Sequence, residues 1–195
     1  MQIIHDFLTI NEYSRPGRKL KEVLGVVLHW TANPSANAKE NRDYFENKKT
    51  GCGGYASAHY IIDQNGLIVA AVPEYEIAYH CGSSQRDPAS NKVYTDEARR
   101  RFGRYASETN SPNNCTLGVE LCPVDAAGNF SDATINSAIE LCADICRRYN
   151  LDAADLITHH GVVGWKDCPK LWTEKPALFE AFCYSVAEKI ARGNK

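Results

Sequence analysis

Two apolar, strand-like segments of this chain end in histidine, at His29 and at His159 with His160 beside it, and a short loop then leads from the second to Lys166-Asp167-Cys168-Pro169. Imidazole nitrogen and thiolate sulfur are both good zinc donors. Two histidines with one cysteine leave the fourth tetrahedral position to water, the open geometry of a catalytic site. There is no compact His-Glu-x-x-His motif. On residue type and spacing alone, the metal reading therefore stands beside a plainer one: buried structural histidines and a core thiol.

The elements that would position these residues are legible in outline. Val23 to Trp30 is a continuous apolar, β-rich run, the pattern of a central strand buried on both faces, and His29 lies near its end. Ser35 to Lys49 reads as a helix with Tyr44 and Phe45 as its apolar contacts, broken by Gly51-Cys52-Gly53-Gly54. Ala58–Asp63 and Leu67–Val72 flank Gln64-Asn65-Gly66, which predicts a hairpin turning at Asn-Gly. From Ser83 to Asn114 the chain turns polar, with a short helix expected over Asp96–Tyr105 that carries Arg99, Arg100, Arg101 and Arg104; a stretch this long is either functional or mobile.

In Thr116–Leu121, alternation puts Leu117, Val119 and Leu121 on one face and Glu120 on the other. Ser131–Tyr149 is the strongest helix, with Ile135, Ala138, Ile139, Cys142, Ile145, Cys146 and Tyr149 on one stripe. A strand over Asp155–His159 follows, and a helix opened by Pro176 closes the chain. Strands and helices alternate, so the expected fold class is α/β, a single domain of residues 1–195 with a central mixed β-sheet flanked by helices.

Bulk composition excludes more than it assigns. The chain is 44% hydrophobic and 24% charged with a formal net charge of −2, so no overall basic field gathers nucleic acid or anionic lipid. The start, Met1 to Phe7, lacks the basic and apolar pattern of a secretory signal, and no stretch is long enough to span a bilayer. The eight cysteines, several of them inside apolar periodic segments, then read as mostly buried thiols of a reducing compartment.

Several short pieces, taken in order, carry a resemblance. They are Ser14-Arg15-Pro16-Gly17; Val26-Val27-Leu28-His29-Trp30-Thr31-Ala32; Ser57-Ala58-His59-Tyr60-Ile61-Ile62-Asp63; Ala78-Tyr79-His80-Cys81-Gly82; Thr116-Leu117-Gly118-Val119-Glu120; and Thr158-His159-His160 running to Lys166-Asp167-Cys168-Pro169. Each is degenerate alone, but in this order and spacing the chain resembles, over nearly its whole length, the zinc-dependent N-acetylmuramoyl-L-alanine amidases of phage endolysins and bacterial autolysins, relatives of the peptidoglycan recognition proteins. The resemblance implies that His29, His159 and Cys168 bind zinc. It implies that Glu120 moves protons as catalytic base and acid, that Lys166 faces the developing oxyanion, and that His80 contacts substrate. His59 is read as structural, and His5 receives no role.

Two departures matter. The interval from His159 to Cys168 is one residue longer than in many phage relatives, with Trp165 as the extra residue; counting back from Cys168 with the shorter spacing selects His160, whereas matching the strand and the Gly-Val-Val turn selects His159. Ala58 stands where some relatives carry a tyrosine, which shifts the proton work to Glu120. The implied activity is hydrolysis of the amide between N-acetylmuramic acid and L-alanine. The implied partner is bacterial peptidoglycan, met by a monomer without membrane insertion, held in the host cytoplasm until released to the cell wall. A recognition module that binds peptidoglycan without cleaving it is the competing reading, and a structural zinc site with His160 as fourth ligand is a third.

Overall fold

A computed structural model describes residues 2–193. Its centre is a six-stranded sheet in the order β1-β4-β3-β5-β2-β6, formed by β1 (Ile3–His5), β2 (Gly25–Trp30), β3 (Tyr60–Ile62), β4 (Ile68–Ala70), β5 (Thr116–Leu121) and β6 (Leu156–Thr158). Only the β3–β4 hairpin is antiparallel, with Tyr60 opposite Ala70; the other neighbours run parallel, so the sheet is mixed. The helices are α1 (Ala38–Asn47), α2 (Asp96–Phe102), α3 (Asp132–Tyr149), α4 (His159–Val163), α5 (Lys170–Glu174) and α6 (Pro176–Gly193). Among the described residues no helix is long and apolar enough to cross a membrane.

The two faces of the sheet do different work. Val26 and Leu28 of β2 and Leu117, Val119 and Leu121 of β5 point to one side, where they pack with Ala138, Leu141, Cys142 and Ile145 of α3 and with Phe182 and Val186 of α6. Burying each such leucine or isoleucine fully contributes roughly 1.5–3 kcal/mol. The alternate residues face the other side. There Val27 and Ile157 pack with Val93, Tyr94, Ala98 and Phe102, so the polar 83–114 stretch is anchored by a core of its own and covers the face that carries His29 and Glu120.

Several elements differ from the sequence expectation for local reasons. The helix read from Ser35 begins at Ala38, because Asn37 and Glu40 form a reciprocal capping box. Phe45 is buried but Tyr44 is 56% exposed, with Lys48 Nζ 4.6 Å over its ring. The strand read as Asp155–His159 covers only Leu156–Thr158, since the Thr158 side chain accepts from the Gly161 N–H and starts α4 at His159. Neither β1 nor α5 was expected. All eight cysteines are free, and only Cys52 is exposed.

Candidate metal centre and its cleft

The candidate residues collect at the C-terminal ends of three adjacent parallel strands, the region where α/β sheets gather their sites. His29 is paired in register with Glu120 across β2 and β5, and β6, which delivers His159 directly after Thr158, flanks β2 on its other side. Cys168 comes from the loop after α4. The His160 backbone N–H donates to the Cys168 carbonyl at 2.9 Å, and the Trp30 indole N–H donates to the Asp167 carbonyl at 3.2 Å, so the cysteine loop is tied to both α4 and β2.

These constraints bring His29, His159 and Cys168 together with one ligand atom from each within 4.8 Å of the others. Cys168 Sγ lies 3.8 Å from His29 Nδ1, and the two imidazole centroids are 4.6 Å apart. All three residues are buried, with relative exposures of 1%, 5% and 2%. His160 is not in the cluster: its Nδ1 faces the Lys166 carbonyl at 3.1 Å.

Whether a metal fits can be judged from the polar atoms that this burial leaves without partners. Among the described residues, the buried side-chain atoms lacking a hydrogen bond are Thr31 Oγ1, Glu120 Oε2, His159 Nδ1 and Trp165 Nε1. The last three belong to residues lining one cleft. A buried nitrogen without a partner is costly, and a cation beside His29 Nδ1 and Cys168 Sγ would satisfy it. The donors are also in a suitable state. Burial, assisted by the neighbouring imidazoles and Lys166, drives His29 far below the usual histidine range; burial and then Lys166 lower His159 to about 3, so both rings are neutral, as ligation requires. Burial, with the Glu120 charge, pushes the Cys168 thiol up to about 12. Only a cation would hold it as thiolate. The set fits a divalent metal ion with nitrogen and sulfur preferences.

His80 has a firmer contact than the substrate contact expected from the sequence. Its Nδ1 lies 3.1 Å from His29 Nε2, and its Nε2 lies 3.3 Å from Thr116 Oγ1 and 3.4 Å from the Thr116 carbonyl. With His29 Nδ1 turned to Cys168, His29 Nε2–H donates to His80 Nδ1 and His80 Nε2–H donates to Thr116. That is the outer support a ligating histidine normally has. His80 still lines the cleft, but both of its ring nitrogens are engaged. Gly118 makes the room: a Cβ there would meet His80 Cγ at 2.5 Å. A glycine inside a strand is a signal of such close approach, and it is the one trace of this contact in the sequence. His59 is structural, fully buried between the Gly118 N–H, which its Nδ1 accepts, and the Glu76 carbonyl, to which its Nε2 donates.

Glu120 is half-buried, and burial raises its carboxyl to about 7 against the opposing pull of the Lys166 charge. A carboxyl balanced near neutrality can both take and return a proton. Lys166 is exposed and lines the same cleft of about 730 Å³. The 83–114 stretch, read from the sequence as functional or mobile, supplies Ser83, Asn110 and Ser111 to the wall, while Tyr55, Tyr79 and Trp165 line it without having been given a role from the sequence.

Comparison with known proteins identifies relatives of this chain. The family model described as N-acetylmuramoyl-L-alanine amidase matches residues 19–171. A Bacillus licheniformis protein named "Probable N-acetylmuramoyl-L-alanine amidase" is 34% identical over 192 residues, covering 98% of this chain and 49% of its own length. The N-acetylmuramoyl-L-alanine amidase BlyA of Bacillus subtilis (strain 168) is 32% identical over 188 residues, covering 96% and 47%. The chain thus spans about half the length of these curated relatives. The PlyG catalytic domain shares the fold with a TM-score of 0.71 at 18% identity, covering 97% of this chain and 96% of that one. The catalytic domain of XlyA does so with a TM-score of 0.65 at 22% identity, covering 94% and 99%. On the family match and these relatives, the chain belongs to the N-acetylmuramoyl-L-alanine amidase family.

Proposed function

We propose that this chain is a zinc-dependent N-acetylmuramoyl-L-alanine amidase that separates the glycan of bacterial peptidoglycan from its stem peptides. The observation that carries the reading is the buried His29–His159–Cys168 cluster at the floor of a cleft that also holds the unpartnered carboxylate oxygen of Glu120. Two imidazoles and a thiolate are a zinc donor set with one position left open. Zinc held there would acidify water and polarise the scissile carbonyl.

The side chains supply the rest. Glu120 takes one proton as water oxygen bonds to the lactyl carbonyl carbon, and returns it to the alanine nitrogen as the carbon–nitrogen bond breaks, leaving a free amine and a muramic carboxylic acid that gives up the second water proton to solvent. The Lys166 ammonium favours the charge that develops on the carbonyl oxygen. His80 holds the His29 ring in register with its neighbours. For such a protein, release from the cell that makes it and action as a monomer at the wall follow the endolysin pattern.

The test is digestion of purified peptidoglycan from several bacteria, followed by amine quantification and mass spectrometry. The expected products are stem peptides with a new alanine amino terminus and intact glycan, formed only with metal present. Zinc-loaded protein that binds wall but releases no new amino termini would instead be a recognition module, and the amidase reading would be wrong.

A further inference from the structure

His80 and Cys81 lie outside the strands and helices, so no regular ladder takes up their backbone N–H groups. Both residues are buried, and a buried N–H without an acceptor is costly. One side chain meets both. Asn113 Oδ1 accepts from the His80 N–H at 3.1 Å and from the Cys81 N–H at 2.8 Å, and the Cys81 thiol donates to the same oxygen at 3.4 Å. The amide has to present its oxygen here, because its nitrogen would oppose the two donors. Asn113 is itself buried, at 7% exposure.

The asparagine is fixed from its own side as well. It sits in a tight helical turn, Pro112–Asn114, opened by Ser111, whose Oγ accepts from the Asn113 N–H at 3.2 Å. The Pro112 carbonyl accepts the Cys115 N–H at 3.0 Å and the Thr116 hydroxyl at 2.7 Å, which carries the turn straight into β5. Thr116 is the residue that receives His80 Nε2–H. His80 is therefore held at two points, by its backbone through Asn113 and by its ring tip through Thr116. Its Nδ1 is left facing His29 Nε2.

We infer that Asn113 is a positioning residue of the metal centre, acting through His80 to fix the ring of His29. The inference rests on the proposed metal site. Removing Oδ1 leaves two buried N–H groups without an acceptor, and the backbone at 80–81 then has to move to satisfy them. A metal site tolerates displacements of only about 0.5 Å in the groups that hold its ligands. The contact at stake, 3.1 Å from His80 Nδ1 to His29 Nε2, has little length to spare. Asn113 hydrogen-bonds none of the three candidate ligands and not Glu120, so its effect falls on metal affinity rather than on proton transfer. The 83–114 stretch thereby braces the metal centre as well as walling the cleft.

The test is zinc affinity, measured by competition with a chromogenic chelator in variants whose fold is checked by circular dichroism. Asn113→Ala should weaken zinc by about tenfold, the lower end of the cost of losing a ligand's outer partner. Asn113→Asp keeps an oxygen acceptor in the same place and should stay within about threefold of wild type. Asn114→Ala removes two bonds that brace the same turn, to Asn110 Oδ1 and to the Ser111 carbonyl, so it should lower the melting temperature and leave zinc affinity unchanged. In a His80→Ala background, Asn113→Ala should weaken zinc no further, because residues acting along one path are not additive. Wild-type affinity in Asn113→Ala, an equal loss in Asn114→Ala, or a loss that persists undiminished without His80 would each overturn the inference. Wild-type protein that takes up no zinc would remove the metal centre and the inference with it. The expected pattern in a protein that releases no amino termini supports the inference and counts against the amidase reading alone.

Discussion

His29 Nε2 lies 3.1 Å from His80 Nδ1, and this contact determines which nitrogen of His29 remains for a metal. Because Nε2 carries the proton given to His80, Nδ1 keeps its lone pair, and Nδ1 is the atom 3.8 Å from Cys168 Sγ. Loss of the outer partner of a ligating histidine typically costs about 10–100-fold in metal affinity. His80→Ala should therefore weaken metal binding by that order, measured by competition with a chromogenic chelator, while circular dichroism shows the fold retained. Gly118→Ala should act in the same direction, because its Cβ would meet the His80 ring at 2.5 Å. Wild-type affinity in both variants would remove His80 from the metal site.

Glu120 and Lys166 separate in the kinetics. Glu120→Gln keeps the shape of the side chain and removes its ability to accept a proton, so kcat should fall by about 10²–10⁴-fold with bound metal unchanged by elemental analysis. Lys166→Ala should lower kcat by about 10-fold or more, since Lys166 is exposed and its charge acts across a solvated cleft. A Glu120→Gln enzyme of wild-type rate would require another base.

The elements that could be read from the sequence are those whose own residues determine them. The unbroken run Val26–Leu28 and the stripe Ile135 to Tyr149 state their environment through periodicity, and both lie where that periodicity puts them. Strand β1 could not be read, because Ile3-Ile4-His5 is too short to carry a period and exists as a strand only by pairing with Ile68–Ala70. The apolar run ahead of it places His159 at a strand end, yet a single hydroxyl from Thr158 makes it the first residue of a helix. The contact between His80 and His29 is likewise tertiary. Periodicity carries no record of it, and only Gly118, a glycine inside a strand, hints at crowding there.

Glu46 ties the N-terminal segment to α1 and should make part of the stability acid-labile. Burial pushes its carboxyl up, but hydrogen bonds from Lys49 and from the Thr9 N–H, together with the Arg42 charge, outweigh burial and hold it down at about 2 instead of 4.5. A folded pKa below the unfolded one gives stability that is fully present above about pH 4.5 and lost as pH falls toward about 2. Glu46→Gln should cost about 1 kcal/mol at neutral pH and almost nothing near pH 2, so the two proteins' urea midpoints should converge in acid. Parallel curves down to pH 2 would show that the carboxylate charge contributes nothing.

The neighbouring histidines 159 and 160 give the sharpest test of the metal centre, because they differ in position but not in chemistry. His159 is buried with Nδ1 unpartnered and its ring 4.6 Å from that of His29. The His160 side chain is turned to the Lys166 carbonyl. The bond that fixes the cysteine loop runs from the His160 backbone N–H to the Cys168 carbonyl, and a side-chain substitution leaves it in place. His160→Ala should therefore keep one metal per chain and nearly wild-type affinity, with a small loss of stability from the lost side-chain contact to the Lys166 carbonyl. His159→Ala and Cys168→Ala each remove a donor and should lose stoichiometric metal after dialysis. They should also lose the rise in melting temperature that saturating metal gives, a stabilisation of about 2.7 kcal/mol at one hundred times the dissociation constant. If His160→Ala rather than His159→Ala released the metal, the shorter spacing would be the true one and the loop from α4 to Cys168 would rearrange on binding.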